Sequence, residues 1–106
     1  METKGKYILD KDGNPKEERD LLTWAKWFEA NDDKRIVERT QLDDVRVSTV
    51  FLGMEHNFGL SGKPILWETM VFGIDDDSYQ ERYDSLPAAK AGHKEATKWA
   101  KEKMKK

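Results

Sequence analysis

The residues whose types and spacing single them out for chemistry are His56 and His93, Glu55 and Glu68, and the arginines Arg39, Arg46 and Arg82. An imidazole titrates near neutral pH and can serve as base, acid or metal ligand. Glu55-His56-Asn57 sits directly after an apolar run, so Glu55 could orient His56 or share a metal with it. A metal site wants three or four ligands at helix or strand spacing, and His56 has no such partner. No metal is therefore expected. The plainer reading is a polar loop in which Asn57 makes the turn and His56 bonds the backbone. His93 lies among small apolar residues, where a histidine is either a packed residue with one polar partner or part of a site.

Glu68 is the anomalous charge. It interrupts an apolar run between Trp67 and Thr69, and a buried carboxylate is costly unless paired. Arg39, Arg46 and Arg82 are its candidate partners. One account is a structural salt bridge. The other is an anion-reading pocket in which Glu68 anchors an arginine, with His93 within reach from the last helix. Of the tryptophans, Trp24 reads as core, whereas Trp27 and Trp99 lie off the centre of their helices' apolar faces. They are the expected exposed aromatic platform, for stacking or for a partner protein. Asp75-Asp76-Asp77 reads as a solvated turn, since it lacks the spacing of a calcium loop.

These residues are positioned by a short series of elements. Lys6–Asp10 reads as a first strand, ended by the turn residues Asp12-Gly13-Asn14-Pro15. The residues after that turn are too charged and too broken by proline to read as its partner strand. Asp20 caps a helix to Ala30, with Leu21, Trp24, Ala25 and Phe28 on one stripe, and Asn31-Asp32-Asp33 stops it. Arg35–Leu42 and Val45–Met54 read as antiparallel strands joined by Asp43-Asp44. In the second of these, Val45 and Val47 share one face and Arg46 and Ser48 the other. Ile65–Ile74 is the next strand, with Trp67, Thr69 and Val71 on one side and Glu68, Met70 and Phe72 on the other.

Tyr79–Tyr83 is a short edge strand. Ser85 then caps a last helix, Pro87 sits in its first turn, and Leu86, Ala89, His93, Ala96, Ala100 and Met104 share its inner face. Gly92 beside that face predicts close docking on the sheet. The expected fold is α+β: one domain over residues 1–106, ordered β-α-β-β-β-(β)-α, with an antiparallel sheet of four to five strands and two helices on one face. Val50, Leu52 and Met54 or their alternates then form the other face. A second copy of the chain could bury it, so a homodimer is one expected arrangement.

Composition narrows the classes. Hydrophobic residues make up 37% and charged residues 38% of the 106, so the core is small and its aromatics must supply much of the buried area. The net charge is −2, which provides no global basic field and argues against a nucleic-acid partner. The lysines from Lys90 onward read as a solvated helix end suited to the helix dipole. With no cysteine, disulfides, zinc-thiolate sites and thiol catalysis drop out. No apolar run follows Met1–Gly5 and none approaches the length of a membrane span, so neither a signal peptide nor a membrane partner is expected. No cofactor is expected either.

The strings VSTVFLGMEHNFG and LWETMVFG, together with Leu21–Glu29, Glu81-Arg82-Tyr83 and Ala91-Gly92-His93, resemble a group of small proteins encoded by bacteriophages and prophages. The match spans most of the chain. It departs at Glu55, where the group has Asp, and at Ile74–Asp77, where the group has a glycine-rich turn. His56, Asn57, Glu68, Arg82 and His93 all match. The resemblance implies an origin and a bacterial cytoplasm rather than a mechanism. The first reading is a non-catalytic binding protein of host takeover or counter-defence, holding a host or phage protein or a small anionic ligand such as a nucleotide. The alternatives are a small hydrolase using His56 or His93 with Glu55 or Glu68, and a DNA-associated accessory protein using the lysine-rich last helix.

Overall fold

Two capped helices bracket the sheet. The Asp20 side chain accepts from the Thr23 backbone N–H, and this cap starts α1 (Leu21–Ala30). The Thr23 hydroxyl bonds the same carboxylate, and these bonds pull the Asp20 pKa below its ordinary value. Ser85 accepts from the Ala88 N–H and starts α3 (Leu86–Met104), with Pro87 in the first turn. The computed structural model describes residues 1–55, 62–74 and 79–105. His56, Asn57 and the Asp75–Asp77 turn lie outside the described residues.

The N-terminal segment forms a hairpin, β1 (Tyr7–Leu9) with β2 (Pro15–Glu17), in the antiparallel register Tyr7 with Glu17 and Leu9 with Pro15. β1 thus has a partner strand, against the expectation from the charges and the proline that follow the turn. The charges of β2 are tolerated because its three residues stay exposed to solvent, and Pro15 sits at its first residue, where a missing N–H costs little. After α1 comes a single helical turn, α2 (Asp32–Arg35), where Asn31-Asp32-Asp33 is expected to end helical structure. The main sheet comes next: β3 (Ile36–Leu42), β4 (Val45–Phe51), β5 (Trp67–Phe72) and β6 (Tyr79–Tyr83), all antiparallel and in chain order. The fold is thus the expected α+β mixture, with the order ββααββββα. No helix among the described residues is long and apolar enough to cross a membrane.

β4 ends earlier than expected, at Phe51, and Met54 instead bridges to Lys6. The turn between them needs Gly53, whose φ is +75°. A side chain there would also run into the Phe28 ring. Trp24 closes this corner, donating from Nε1 to the carbonyls of Tyr7 (3.1 Å) and Gly53 (3.0 Å). The N-terminal hairpin and α1 are thereby tied to the end of β4.

α3 covers one face of the sheet with Ala89, His93, Ala96 and Ala100, all buried. Beneath it the core is in two parts. Val45, Val47 and Val71 pack with Ala96 and Ala100. Phe51, Leu66 and Trp67 pack with Ala89, joined by the half-buried Tyr7, Trp27 and Tyr83. Small residues on α3 let its backbone approach the strands closely, as Gly92 foretold. The opposite face carries Arg39 and Gln41 from β3, Arg46, Ser48 and Val50 from β4, Glu68, Met70 and Phe72 from β5, and Gln80 and Arg82 from β6, as the strand registers require. Leu52 and Met54, expected on that face, fall after the end of the strand.

Candidate functional site

A row of polar residues separates the two apolar clusters. Thr49 of β4 and Thr69 of β5 are directly opposite each other in the register and fully buried. Their hydroxyls lie 2.5 Å apart. His93 descends onto them from α3 and is 1% exposed. Its Nδ1 is 2.7 Å from the Thr49 hydroxyl and its Nε2 is 2.8 Å from the Thr40 hydroxyl of β3. A neutral imidazole has one donor and one acceptor, and threonine hydroxyls can serve as either. The row is satisfied in both tautomers, because each hydroxyl can turn to match the ring. Burial pushes the His93 pKa below 6.5, and the nearby Glu38 carboxylate opposes that only in part. With a neutral ring, the 3.8 Å approach of Glu38 to Nε2 is a contact and not an ion pair.

At its other end the row comes close to Tyr83. The Tyr83 hydroxyl is buried near Thr69, but no described partner lies in good hydrogen-bond geometry to it. Burial dominates over the Thr69 contact and raises the Tyr83 pKa above 10.0. The ring lies against the α3 backbone at Gly92.

On the β3 side the row opens into a groove of about 460 Å³ between β3 and α3. Glu38 and Thr40 form one wall, and Lys94, Lys98, Lys101 and Lys105 run along the other. The lysines recur at intervals of four, three and four residues, so they stand on one face of the helix over about 16 Å. His93 and Thr97 form the floor, and Thr97 donates its hydroxyl to the His93 carbonyl (2.8 Å). Glu102 is the second acid on the rim.

Glu68 belongs to the other side of the sheet. Its Oε2 accepts from Arg82 Nε at 2.9 Å and from Gln80 Nε2 at 2.6 Å. Arg82 was among the expected partners; Arg39 and Arg46 share the face, and neither bonds Glu68 among the described residues. The expected convergence of Glu68, Arg39, Arg82 and His93 in one pocket does not occur. The period-two alternation of β5 sends Glu68 away from α3 and Thr69 towards it. A hydrolytic pair of His93 with Glu68 is therefore not assembled.

Replacing Arg82 by Ala tests the ion pair. A buried charge stripped of its partner costs 3–5 kcal/mol, but Arg82 is half-exposed and Gln80 remains bonded, so the expected loss is about 1–2 kcal/mol. A shift in the urea midpoint at constant m-value measures it.

Trp27 and Trp99 do not form an exposed platform. Trp27 meets the edge of Phe51 at 6.1 Å between ring centroids, and both tryptophans are half-buried. Trp99 packs on Tyr79 at 5.0 Å, with the Lys103 ammonium 5.7 Å from its ring. The edge of each helical stripe finds a neighbour that helix periodicity alone does not reveal. Among the described residues, no group of His, Asp and Glu is arranged to hold a metal. The chain matches no family model, no curated protein and no solved structure.

Proposed function

We propose that this is a non-catalytic binding protein whose α3–β3 groove holds a small anionic ligand, with phosphate-bearing compounds such as nucleotides as the class. The observation that carries the reading is the file of lysines along a groove of about 460 Å³, a size in the range of small-molecule sites. Both nitrogens of His93 are engaged by threonines, so the ring is built into the floor and is not poised for proton transfer. The resemblance to phage proteins supports a role in host takeover or counter-defence in a bacterial cytoplasm, by withdrawing such a ligand from use.

Titration of the full chain with inorganic phosphate, pyrophosphate and ATP, followed by thermal shift and calorimetry, tests the reading. At least one of them should raise the melting temperature at about 1 mM, with an effect that weakens as salt rises. The double substitution Lys98→Glu, Lys101→Glu reverses two exposed charges and should cost at least about tenfold in affinity while leaving the fold intact. Silence across the panel, or binding indifferent to that substitution, would sink the proposal.

A further inference from the structure

The face of the sheet turned away from α3 is chemically unlike the rest of the surface. The chain has 14 lysines and five arginines, yet three of those arginines, Arg39, Arg46 and Arg82, are on this face and no position of β3–β6 is a lysine. Between the arginines lie Met70, half-buried, and Phe72, 49% exposed on a central strand. Enrichment in arginine, methionine and aromatics with depletion of lysine is the composition of protein interfaces. Arginine also differs from lysine in kind, since its planar fork meets a carboxylate with two parallel bonds.

We propose that this face docks an acidic segment of a partner protein, with an apolar side chain seated on Met70 and Phe72 and carboxylates met by Arg39, Arg46 and Arg82. Glu68 has a defined part in it. It takes the Nε edge of Arg82, whose side chain is 41% exposed. That bond restrains the guanidinium, and among the described residues no hydrogen bond engages its terminal nitrogens, which can meet a carboxylate. The charge pattern selects the occupant. A second copy placed face to face would set arginines against arginines, and the face offers no exposed carboxylate among the described residues to relieve them. Single-stranded nucleic acid wants successive stacking surfaces and many phosphate contacts, whereas this face has one exposed aromatic and the chain is acidic.

The test is a backbone-amide NMR titration of the full chain. The probes are a synthetic peptide with a central Phe-Leu flanked by Glu and Asp, the same peptide with Gln and Asn in their place, and an oligothymidylate. The acidic peptide should bind saturably and move the amides of β4 and β5. Its amide counterpart should bind at least about tenfold more weakly. Phe72→Ala and Arg46→Ala, both at exposed positions, should each cost about tenfold. Arg82→Lys, which keeps the charge and loses the fork, should weaken binding too. Lys98→Glu with Lys101→Glu should leave it unchanged, which separates this face from the groove.

Absence of saturable binding overturns the proposal, as does a shift map confined to the groove. So does tighter binding of the oligothymidylate, or a dimer in sedimentation that Phe72→Ala converts to monomer.

Discussion

Gly92→Ala should destabilise the protein by about 2–4 kcal/mol, although alanine is the better helix former by about 1 kcal/mol. In an exposed helix this substitution stabilises. Here a methyl group on residue 92 would occupy the space of the Tyr83 hydroxyl and of two ring carbons. The ring cannot swing aside freely, because Tyr83 packs into the cluster of Phe51, Leu66, Trp67 and Ala89. Either α3 lifts from β6 or the ring leaves its place, and both expose apolar surface. Urea unfolding of Gly92→Ala measures the loss. Combining it with Tyr83→Ala should recover part of it, giving strong coupling of the two sites in a double-mutant cycle. A Gly92→Ala protein as stable as the parent would show that helix and strand do not meet this closely.

Substitution of His93 should be comparably costly. His93→Ala removes the partner of both Thr40 and Thr49 and leaves a void in a site that is 1% exposed. Lost packing and stranded hydroxyls together amount to about 3 kcal/mol. The same residue gives stability a pH dependence with a definite sign. Its folded pKa lies below 6.5, so between the two values the unfolded chain binds more protons than the folded one. Stability therefore rises with pH in that window. It is fully present above about pH 6.5, falls as the pH drops below that value, and levels off once the folded state also takes up the proton. Chemical denaturation across this range should show the slope in the parent protein and its loss in His93→Gln. Glu38→Gln should steepen it, since the Glu38 charge favours the protonated ring.

Much of the architecture was legible because it rests on local rules. Asp20 and Ser85 act as the caps they resemble, and the alternation of Val45 and Val47 with Arg46 and Ser48 assigned the faces of β4. What escaped depends on contacts between elements. β2 carries no apolar pattern because nothing buries it, so only its pairing with β1 reveals it as a strand. Glu68 stood out as a misplaced charge and Arg82 as one of its candidate partners, but which face they shared depended on register. Thr49 and Thr69 gave no signal at all, since threonine is an ordinary strand residue. Only the descent of His93 from a helix distant in sequence turns them into a polar row. The basic stretch at the end of the chain was visible, whereas the groove needed β3 as its second wall.

The polar row also bears on how the strands find their alignment. In a meander of antiparallel strands, a slip by two residues keeps every side chain on its original face, so apolar burial alone discriminates weakly among such registers. Here a slip of that kind in β4 or β5 would carry Thr49 or Thr69 into an apolar cluster and set a valine or an aromatic beneath the imidazole. Each misaligned arrangement would then bury hydroxyls and ring nitrogens without partners, a penalty that the native alignment alone escapes. His93 thus works as an index mark, through which a helix that follows the strands in sequence reads whether they are in step.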